Sequence, residues 1–420
     1  MEIAAISSLS AHEPPVFHLH PLGMMANRMI QYMAALKFAS QVPGCRISNV
    51  YLPQWGIEHP AIDSPGPVAV ARDEQHLDIP RLSAAMRAGE IRRVEWTGYG
   101  QRMENFLPRE NYFNVFAPPL GPKVGFGAEY LVCHIRAGEI LDDTSPDYPL
   151  TPVEFYADLV AETGLKPVFM GQTAPNAYTD RIRERFPNAL FLDTQDIVVD
   201  FETIRRSKNV VVGIGTYAWL AAWLSTEAEN IFMAVNGLVN PMQRPIVDLL
   251  PYGDSRFRFY LFPINYAVNL DRVEAVHRSI APYWRYVTHT ALKTQVENAP
   301  RFGRSLDEHL AVFDEAHYLR EYGDIDDAVK AGWLSSGRAH YELYGFLERR
   351  FPFPLDKRWY AAAYPMAAFE VSQGDYADFS HHYLAVGKAR GTDRCRRGRA
   401  ATGTPTPQTQ VGASYPVTRV

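Results

Sequence analysis

An apolar run that starts at residue 130 ends in, and is followed by, polar side chains that can bind an anion. They are His134, Arg136 and Glu139, with a glycine at position 138. Such runs are typical of buried strands, and open α/β sheets bind ligands just beyond the carboxyl ends of their strands. Arg136 can give a phosphate two parallel hydrogen bonds, and Gly138 allows a close approach of the backbone. We therefore predict that Arg136 neutralises a leaving phosphate.

Glu139 has two roles open to it. It can orient Arg136, or it can act as a base toward a hydroxyl group if its pKa is raised. The alternative is an Arg–Glu ion pair beside a hydrogen-bonded His134, with no part in catalysis. His134 and Glu139 alone do not make a metal ligand set, so no metal is predicted.

A second segment, residues 23–32, begins with a glycine turn that opens a helical pattern. The start of a helix leaves backbone N–H groups unpaired and carries a partial positive charge, which favours an anion. Asn27 and Arg28 fall in the first turn, and Gln31 follows one turn later on the side of Asn27. These three side chains are predicted to bind the same ligand, with ordinary helix capping as the alternative.

A third segment, residues 209–224, passes from an apolar run through Gly215 into a second helical pattern. Thr216 and Tyr217 open that helix, so their hydroxyl and N–H groups can point at a phosphate. Asp193 or Asp200 could accept hydrogen bonds from a purine base, although a capping role explains either aspartate equally well. Trp219 and Trp223 are four residues apart and are predicted to pack in the core.

The elements that position these side chains form a regular pattern from residue 130. Short apolar strands alternate with helices, which is typical of a parallel, doubly wound sheet. The predicted strands are 130–135, 167–170, 189–192, 209–214 and 230–234, and the predicted helices are 152–163, 176–186, 200–207 and 216–225. We predict a Rossmann-like lobe over 128–300 and a preceding α/β lobe over 15–127, with a strand at 16–20 and helices at 26–40 and 79–88.

The chain repeats itself at an offset of 42 residues in its last third, where Tyr318, His340 and Gly345 correspond to Tyr360, His382 and Gly387. We predict two small helical repeats over 310–392, each with two short helices around a glycine turn. Residues 393–420 are rich in Thr, Pro and Arg, which predicts a disordered tail. The arginines around this tail could contact anionic lipid, or they could simply be solvated.

The composition excludes several classes of protein. With 420 residues, 47% of them hydrophobic, the chain is long enough for two or three globular domains. A net charge of −5 gives no reason to expect nucleic acid as a partner. Three cysteines do not make a disulfide framework and indicate a reducing compartment. The N-terminus is unlike a signal peptide and no run suits a membrane span, so a cytoplasmic protein is predicted.

Taken together, the three segments resemble the fucosyltransferase superfamily, and in particular bacterial α-1,2-fucosyltransferases. That family carries a Gly-x-x-Asn-x-hydrophobic-x-Gln-Tyr helix, a His-x-Arg-x-Gly-Asp motif and a Ser-Thr-Phe-Ser-Trp-Trp-x-Ala-Trp-Leu segment. Residues 23–32, 134–139 and 215–224 match these motifs in the same order. The chain departs from them by one extra residue between Gly23 and Asn27, and at Ala137, Glu139, Gly215 and Leu220.

The resemblance implies two Rossmann-like lobes of the GT-B type, with the acceptor on the first lobe and the nucleotide sugar on the second. It implies an inverting, metal-independent transfer without a cofactor, from GDP-fucose to a bacterial surface glycan or a lipid-linked glycan. Arg136 would bind the diphosphate, with His134 and Thr216 beside it. The repeats resemble units appended to some bacterial polysaccharide glycosyltransferases.

Two alternatives remain open at this point. The same fold can use another nucleotide sugar, since the departures from the family motifs bear on the donor. The chain can also be a non-catalytic glycan-binding or scaffold protein that works through its repeats. The basic tail could also make a peripheral contact with the inner membrane, which would be useful for an enzyme with a lipid-linked acceptor.

Overall fold

The computed structural model describes residues 14–63, 66–71, 75–117, 125–142, 147–193, 196–262, 284–297, 306–346, 350–372 and 375–395. Thirteen strands lie in this part of the chain. They are β1 (Val16–Leu19), β2 (Arg46–Ser48), β3 (Val50–Leu52), β4 (Ile57–His59), β5 (Val68–Ala71), β6 (Arg93–Trp96), β7 (Tyr130–Ile135), β8 (Lys166–Gly171), β9 (Leu190–Phe191), β10 (Asn209–Val212), β11 (Asn230–Val235), β12 (Phe257–Leu261) and β13 (Arg285–Val287).

Helices connect most of these strands and make up the last third of the described residues. They are α1 (Met25–Gln41), α2 (Ile79–Arg87), α3 (Val153–Thr163), α4 (Ala177–Arg185), α5 (Ile197–Arg205), α6 (Thr216–Trp223), α7 (His289–Glu297), α8 (Leu306–Leu310), α9 (Glu315–Glu321), α10 (Gly323–Lys330), α11 (Gly337–His340), α12 (Lys357–Ala363), α13 (Pro365–Ser372) and α14 (Phe379–His382). Short 3-10 turns occur at Pro53–Trp55, Met103–Asn105, Arg109–Tyr112, Glu139–Asp142 and Gly237–Val239, and π-turns at Tyr341–Gly345 and Tyr383–Gly387.

The first sheet is parallel and has the strand order β2-β1-β6-β5. The chain leaves β1 toward β2 on one side and later returns to β6 on the other. The strand order therefore reverses between β1 and β6, and such a reversal opens a crevice at the carboxyl ends of the two strands. Strands β3 and β4 form a separate antiparallel hairpin.

The second sheet has the order β13-β12-β11-β10-β7-β8-β9 and is parallel apart from its edge strand β13. From β7 the chain passes to β8 and β9 on one side, and then to β10, β11 and β12 on the other. The reversal of strand order, and with it the second crevice, lies between β7 and β10. Strands β7 and β10 are buried along nearly their whole length, as expected for central strands covered on both faces.

Aromatic side chains pack the segment that follows the first sheet against helix α6, which follows β10 of the second sheet. The rings of Trp219 and Trp223 are stacked 5.6 Å apart, and Phe106 packs on both of them at 6.4 and 6.0 Å. Tyr112 lies 6.1 Å from Trp223. Since Phe106 and Tyr112 follow β6, the two sheets share one hydrophobic core. The prediction that both tryptophans pack in the core is confirmed.

The mixed α/β class and the parallel sheets agree with the sequence-based prediction. All five strands predicted from residue 130 onward are present, with ends shifted by no more than two residues. The predicted helices are present with equally small shifts, apart from α5. Helix α5 begins three residues earlier than predicted because Asp196 caps it. Strands β2, β3, β4, β5, β6, β12 and β13 are not among the predicted ones. The domain boundaries near residues 127 and 300 stay predictions, because residues 118–124 and 298–305 lie outside the described part.

Both 42-residue segments make the same buried hydrogen bonds. The hydroxyl of Tyr318 lies 3.0 Å from Nδ1 of His340, and the hydroxyl of Tyr360 lies 3.0 Å from Nδ1 of His382. A Cβ atom on Gly345 or Gly387 would collide with the corresponding tyrosine hydroxyl, which explains the glycines. Each segment contains three helices and a π-turn, so the predicted two helices per repeat are wrong.

The C-terminal tail is described only up to residue 395, so the prediction of disorder for 393–420 falls mostly outside the described residues. Within them Arg390 pairs with Glu370 at 3.1 Å, and the guanidinium of Arg394 lies 5.3 Å from the centre of the Phe353 ring. We find no helix in the described ranges with the length and apolarity that a membrane crossing requires.

The side chain of Gln31 fastens helix α1 to the two strand ends beside it. Its Oε1 accepts a hydrogen bond from the Leu22 N–H at 3.0 Å, and its Nε2 donates to the carbonyl groups of His20 at 3.0 Å and Gly98 at 2.7 Å. Gln31 is 1% exposed. One side chain thus pairs three backbone groups at the carboxyl ends of β1 and β6.

Replacing Gln31 with Met removes the partner of three backbone groups, one buried and two part-buried. We expect the free energy of unfolding to fall by about 2 kcal/mol or more, since each buried unpaired polar group costs about 1 to 3 kcal/mol. Urea denaturation measures this change. Arg28→Met, three residues away on an exposed position, is the control and should change stability by no more than about 0.5 kcal/mol. Equal stability of the two variants would contradict the structural role of Gln31.

Candidate functional site

A cleft of about 440 Å³ lies where the carboxyl ends of the two sheets face each other. Its walls come from the segments that follow β1 and β6 in the first sheet and β7, β8, β9, β10 and β11 in the second. The lining residues are Met24, Met25, Ala26, Asn27, Gln101, His134, Ile135, Arg136, Tyr148, Gly171, Gln172, Ile197, Asp200, Ile214, Gly215, Thr216, Tyr217 and Leu238. Both points of strand-order reversal therefore open into one cavity.

Asn27 joins the two walls of the cleft. It lies in the first turn of α1, just after the turn at Gly23, whose φ of +66° favours glycine. Its Oδ1 accepts a hydrogen bond from the Thr216 hydroxyl at 2.9 Å and a second from Nε2 of Gln101 at 3.1 Å. The start of α1, the segment after β6 and the start of α6 thus meet at one amide oxygen.

His134 is enclosed between the backbones of the two neighbouring strands. A Cβ atom on Gly171 would lie 3.0 Å from its Nε2, and one on Gly213 would lie 2.9 Å from its Nδ1. The ring fits because both neighbours are glycines. Burial, and in second place the charge of Arg136, lowers the pKa of His134 to about 4, so the ring is neutral at physiological pH.

Arg136 follows the end of β7 and points toward the start of α6. Its Cζ lies 4.4 Å from the centre of the Tyr148 ring, which is a cation–π distance. On its other side, a Cβ atom on Gly215 would lie 3.0 Å from Nη1. Gly215 also has a φ of +109°, a value that side chains other than hydrogen rarely allow. Both the backbone and the neighbouring guanidinium therefore require glycine at position 215.

The loop after Arg136 is held by Gln172. The Oε1 atom of Gln172 accepts hydrogen bonds from the N–H groups of Ala137 and Gly138, both at 2.8 Å. Gln172 itself follows β8, the neighbour of β7 in the sheet. The turn that carries Arg136 is thus fixed to the adjacent strand.

Tyr217 and Asp200 form the wall of the cleft next to His134. The hydroxyl of Tyr217 donates to the Ile197 carbonyl at 2.5 Å, and its ring lies 5.6 Å from that of His134. Burial raises the pKa of Tyr217, with nearby carboxylates adding to the effect, so its hydroxyl stays protonated. Asp200 is 8% exposed and lines the cleft from helix α5.

The arrangement can bind an anion. The first turn of α6 presents backbone N–H groups with no capping side chain, and Arg136 lies beside it. The hydroxyl of Thr216 is a further donor within the same turn. No group of three or more His, Cys, Asp or Glu side chains that could hold a metal ion occurs among the residues whose positions are described.

Seven of the predicted site residues line this cleft together. They are Asn27, His134, Arg136, Asp200, Gly215, Thr216 and Tyr217. Glu139 lies in the 3-10 turn after Arg136, but its side chain is outside the described part of the structure.

Four predicted ligand-binding residues do not line this cleft. Arg28 is exposed and its Nε donates to the Gly23 carbonyl at 3.1 Å. Gln31 is buried against backbone, as described above. Gly138 has its N–H directed at Gln172, and Asp193 is exposed after β9 and does not line the cleft. Helical spacing predicts on which side of α1 the side chains of Arg28 and Gln31 lie, but it does not predict how deeply each side chain is buried.

Sequence reasoning missed Gln101, Tyr148, Gln172 and the glycine pair at 171 and 213. Gln172 and the two glycines each come directly at or after the end of an apolar run, so their position in the sequence was a usable signal. Gln101 and Tyr148 lie in irregular segments, where no periodic pattern marks them.

Comparison with known proteins found solved structures with some similarity to this chain, but no matching family. No protein-family model and no curated protein matches the chain. The Escherichia coli heptosyltransferase WaaC with ADP aligns with a TM-score of 0.31 and 15% identity, covering 67% of this chain and 96% of that one. A mutant of Arabidopsis thaliana FUT1 in complex with GDP gives 0.37 and 7%, covering 66% and 74%.

A glycosyl transferase family 9 structure from Veillonella parvula gives a TM-score of 0.35 and 10% identity, covering 69% of this chain and 98% of that one. Similarities this low establish neither a family nor an activity for the chain.

The buried His134 makes stability depend on pH. Its folded pKa of about 4 lies below the ordinary value of 6.5, so the unfolded chain binds the proton more tightly. The stabilisation is complete above pH 6.5 and is lost as the pH falls toward 4. The loss amounts to about 3 kcal/mol.

Urea denaturation of the protein and of His134→Gln between pH 7.5 and 4.5 tests this expectation. The variant should lose about 2 to 3 kcal/mol less than the protein over this interval. Other histidines with lowered pKa values, such as His18 and His59, act in the same direction and cancel in the comparison. Parallel pH curves would show that His134 titrates normally in the folded chain.

Proposed function

We propose that this chain is an inverting, metal-independent glycosyltransferase that binds a nucleoside-diphosphate sugar in the cleft. The observation that carries the proposal is the convergence of the Arg136 guanidinium and the start of α6 where the two crevices meet. A departing nucleoside diphosphate carries the negative charge that such a site stabilises. Fixed donors do so without having to reorganise during the reaction.

In the proposed complex the diphosphate lies between Arg136 and the first turn of α6. The backbone N–H groups of Thr216 and Tyr217 face one phosphate, and the guanidinium contacts the bridging and outer oxygens of the diphosphate. The hydroxyl of Thr216, which donates to Asn27 in the structure, lies within the same turn. Donor binding would therefore compete with Asn27 for this hydroxyl.

The reaction is a single displacement. The acceptor hydroxyl attacks the anomeric carbon, the bond from that carbon to the phosphate oxygen breaks, and its electron pair leaves with the diphosphate. A base removes the hydroxyl proton, and Glu139 is our candidate for this role. The neutral His134 is suited to hydrogen bonding with the donor rather than to carrying charge, because its pKa is about 4.

GDP-fucose is the donor that we favour. The three motifs that resemble bacterial α-1,2-fucosyltransferases support it, and Asp200 offers a carboxylate in the wall of the cleft. A carboxylate accepts hydrogen bonds from the ring and exocyclic N–H groups of guanine, a pair of donors that uracil and cytosine do not present together. The same fold with another nucleotide sugar is the alternative.

The acceptor that we propose is a bacterial surface glycan or its lipid-linked precursor, bound on the side of the first sheet. We infer a cytoplasmic enzyme that contacts the inner membrane through the basic C-terminal tail. That tail includes Arg396, Arg397 and Arg399, which lie outside the described residues.

A nucleotide panel tests the donor. We expect GDP and GDP-fucose to raise the melting temperature more than UDP, CDP or ADP at equal concentration. A ligand at 100 times its Kd stabilises the folded state by about 2.7 kcal/mol, which a thermal melt resolves easily. A shift with UDP alone would retain the enzyme and replace the donor. The absence of any shift would favour the glycan-binding alternative.

Removal of Arg136 tests the anion site. We expect Arg136→Ala to lower the rate of nucleoside-diphosphate release from the donor by roughly 10²-fold or more, because one fixed charged donor is lost. Arg46→Ala is the matched control: it removes an exposed arginine at the opposite end of the first sheet. Thermal melts of both variants verify folding. Equal rates for Arg136→Ala and Arg46→Ala would exclude Arg136 from the reaction.

A further inference from the structure

The Arg136 guanidinium lies against the side chain of Tyr148. Arginine has a long, flexible side chain, and an anion site gains from it only if the guanidinium is held in place before the ligand arrives. In the structure the guanidinium lies against the Tyr148 ring, 4.4 Å from its centre, and faces Gly215 on the other side. The ring and the backbone of the α6 start enclose it.

Tyr148 is itself anchored through the preceding residue. The Asp147 carbonyl accepts a hydrogen bond from the Leu238 N–H at 2.8 Å. Its carboxylate accepts one from Nε2 of Gln243 at 3.0 Å and lies 3.4 Å from Nε of Arg244. The segment carrying the tyrosine is thus fixed to the loop that follows β11.

The backbone around this anchor is packed too closely for any side chain at position 237. Gly237 has a φ of +45°, and a Cβ atom on it would collide with the Asp147 carbonyl and with Pro149. The ring of Tyr148 is half-buried within the cleft wall. The contact with Gly237 and the hydrogen bonds of Asp147 therefore fix the backbone that carries Tyr148.

We propose that Tyr148 is a positioning residue that holds Arg136 toward the diphosphate of the donor. An aromatic ring suits this task because it contacts the flat face of a guanidinium, whereas phosphate oxygens approach its edge. A carboxylate partner would compete with phosphate for the same edge and would neutralise the charge. This inference rests on the proposed function, since it needs a diphosphate in the cleft.

The contact itself is tested without any ligand. In the ¹H–¹⁵N NMR spectrum, the Nε–Hε signal of Arg136, assigned with Arg136→Lys, should show the ring-current shift of a proton near an aromatic face. Tyr148→Phe should retain this shift and Tyr148→Leu should abolish it. An unchanged signal in Tyr148→Leu would overturn the proposal.

The role is tested by GDP binding in calorimetry. Tyr148→Leu should weaken binding roughly 5- to 30-fold, the range expected for a partly desolvated cation–π contact, and Tyr148→Phe by no more than about twofold. In an Arg136→Ala background Tyr148→Leu should cause no further loss, because the tyrosine acts through the arginine. Tyr130→Leu is the matched control, since Lys166 lies over that ring at the opposite end of β7.

The outcomes separate this inference from the proposed function. Wild-type protein that binds no nucleoside diphosphate would overturn both. Wild-type protein that binds GDP, with unchanged affinity in Tyr148→Leu, would overturn the positioning role alone. An equal loss in Tyr148→Phe and Tyr148→Leu, or the same loss with Arg136 removed, would also overturn it, because the effect would then not come from the ring acting through Arg136.

Discussion

The two hydrogen bonds accepted by the Asn27 amide oxygen connect the functional parts of this molecule. Thr216 donates one of them from the start of α6, and Gln101 donates the other from the segment after β6. Parallel strands deliver their carboxyl ends to a single edge, so each sheet alone offers half of a crevice. When those edges face each other and are tied at one atom, the segments after β1, β6, β7 and β10 become the walls of one cavity.

Glycine makes this close approach sterically feasible. Gly171 and Gly213 leave room for the His134 ring between the two strands that flank β7. Gly215 lets the chain turn into α6 directly against Arg136. At each position a methyl group would meet a functional side chain or a backbone atom. Glycine usually lowers the stability of a fold because it loses more conformational entropy on folding than other residues. At these positions its missing side chain leaves the space in which polar side chains are held within a packed interior.

Much of the second sheet can be predicted because each of its strands is marked by a pattern of neighbouring residues in the sequence. Apolar runs define β7, β10 and β11, and the residues just beyond them must lie at one edge, which is how Arg136 and Thr216 were found. The remaining site residues depend on contacts between distant parts of the sequence. Asn27 and Gln101 are 74 residues apart and Asn27 and Thr216 are 189 apart. No periodic pattern in the sequence marks such pairs, so Gln101 is not predicted. Gln31, which α1 turns into the core, is predicted as a ligand but does not line the cleft.

The electrostatics of the cleft follow from this packing. Because strands on both sides bury His134, its imidazole loses its proton and the positive charge of the site stays on Arg136. A second cation at that position would repel the guanidinium and would require its own counter-ion. A neutral histidine can instead donate or accept a hydrogen bond at fixed geometry. At its anion-binding end the site therefore combines the Arg136 cation, the dipole of α6 and neutral hydrogen-bonding groups, an arrangement that favours an anion whose charge grows during a reaction.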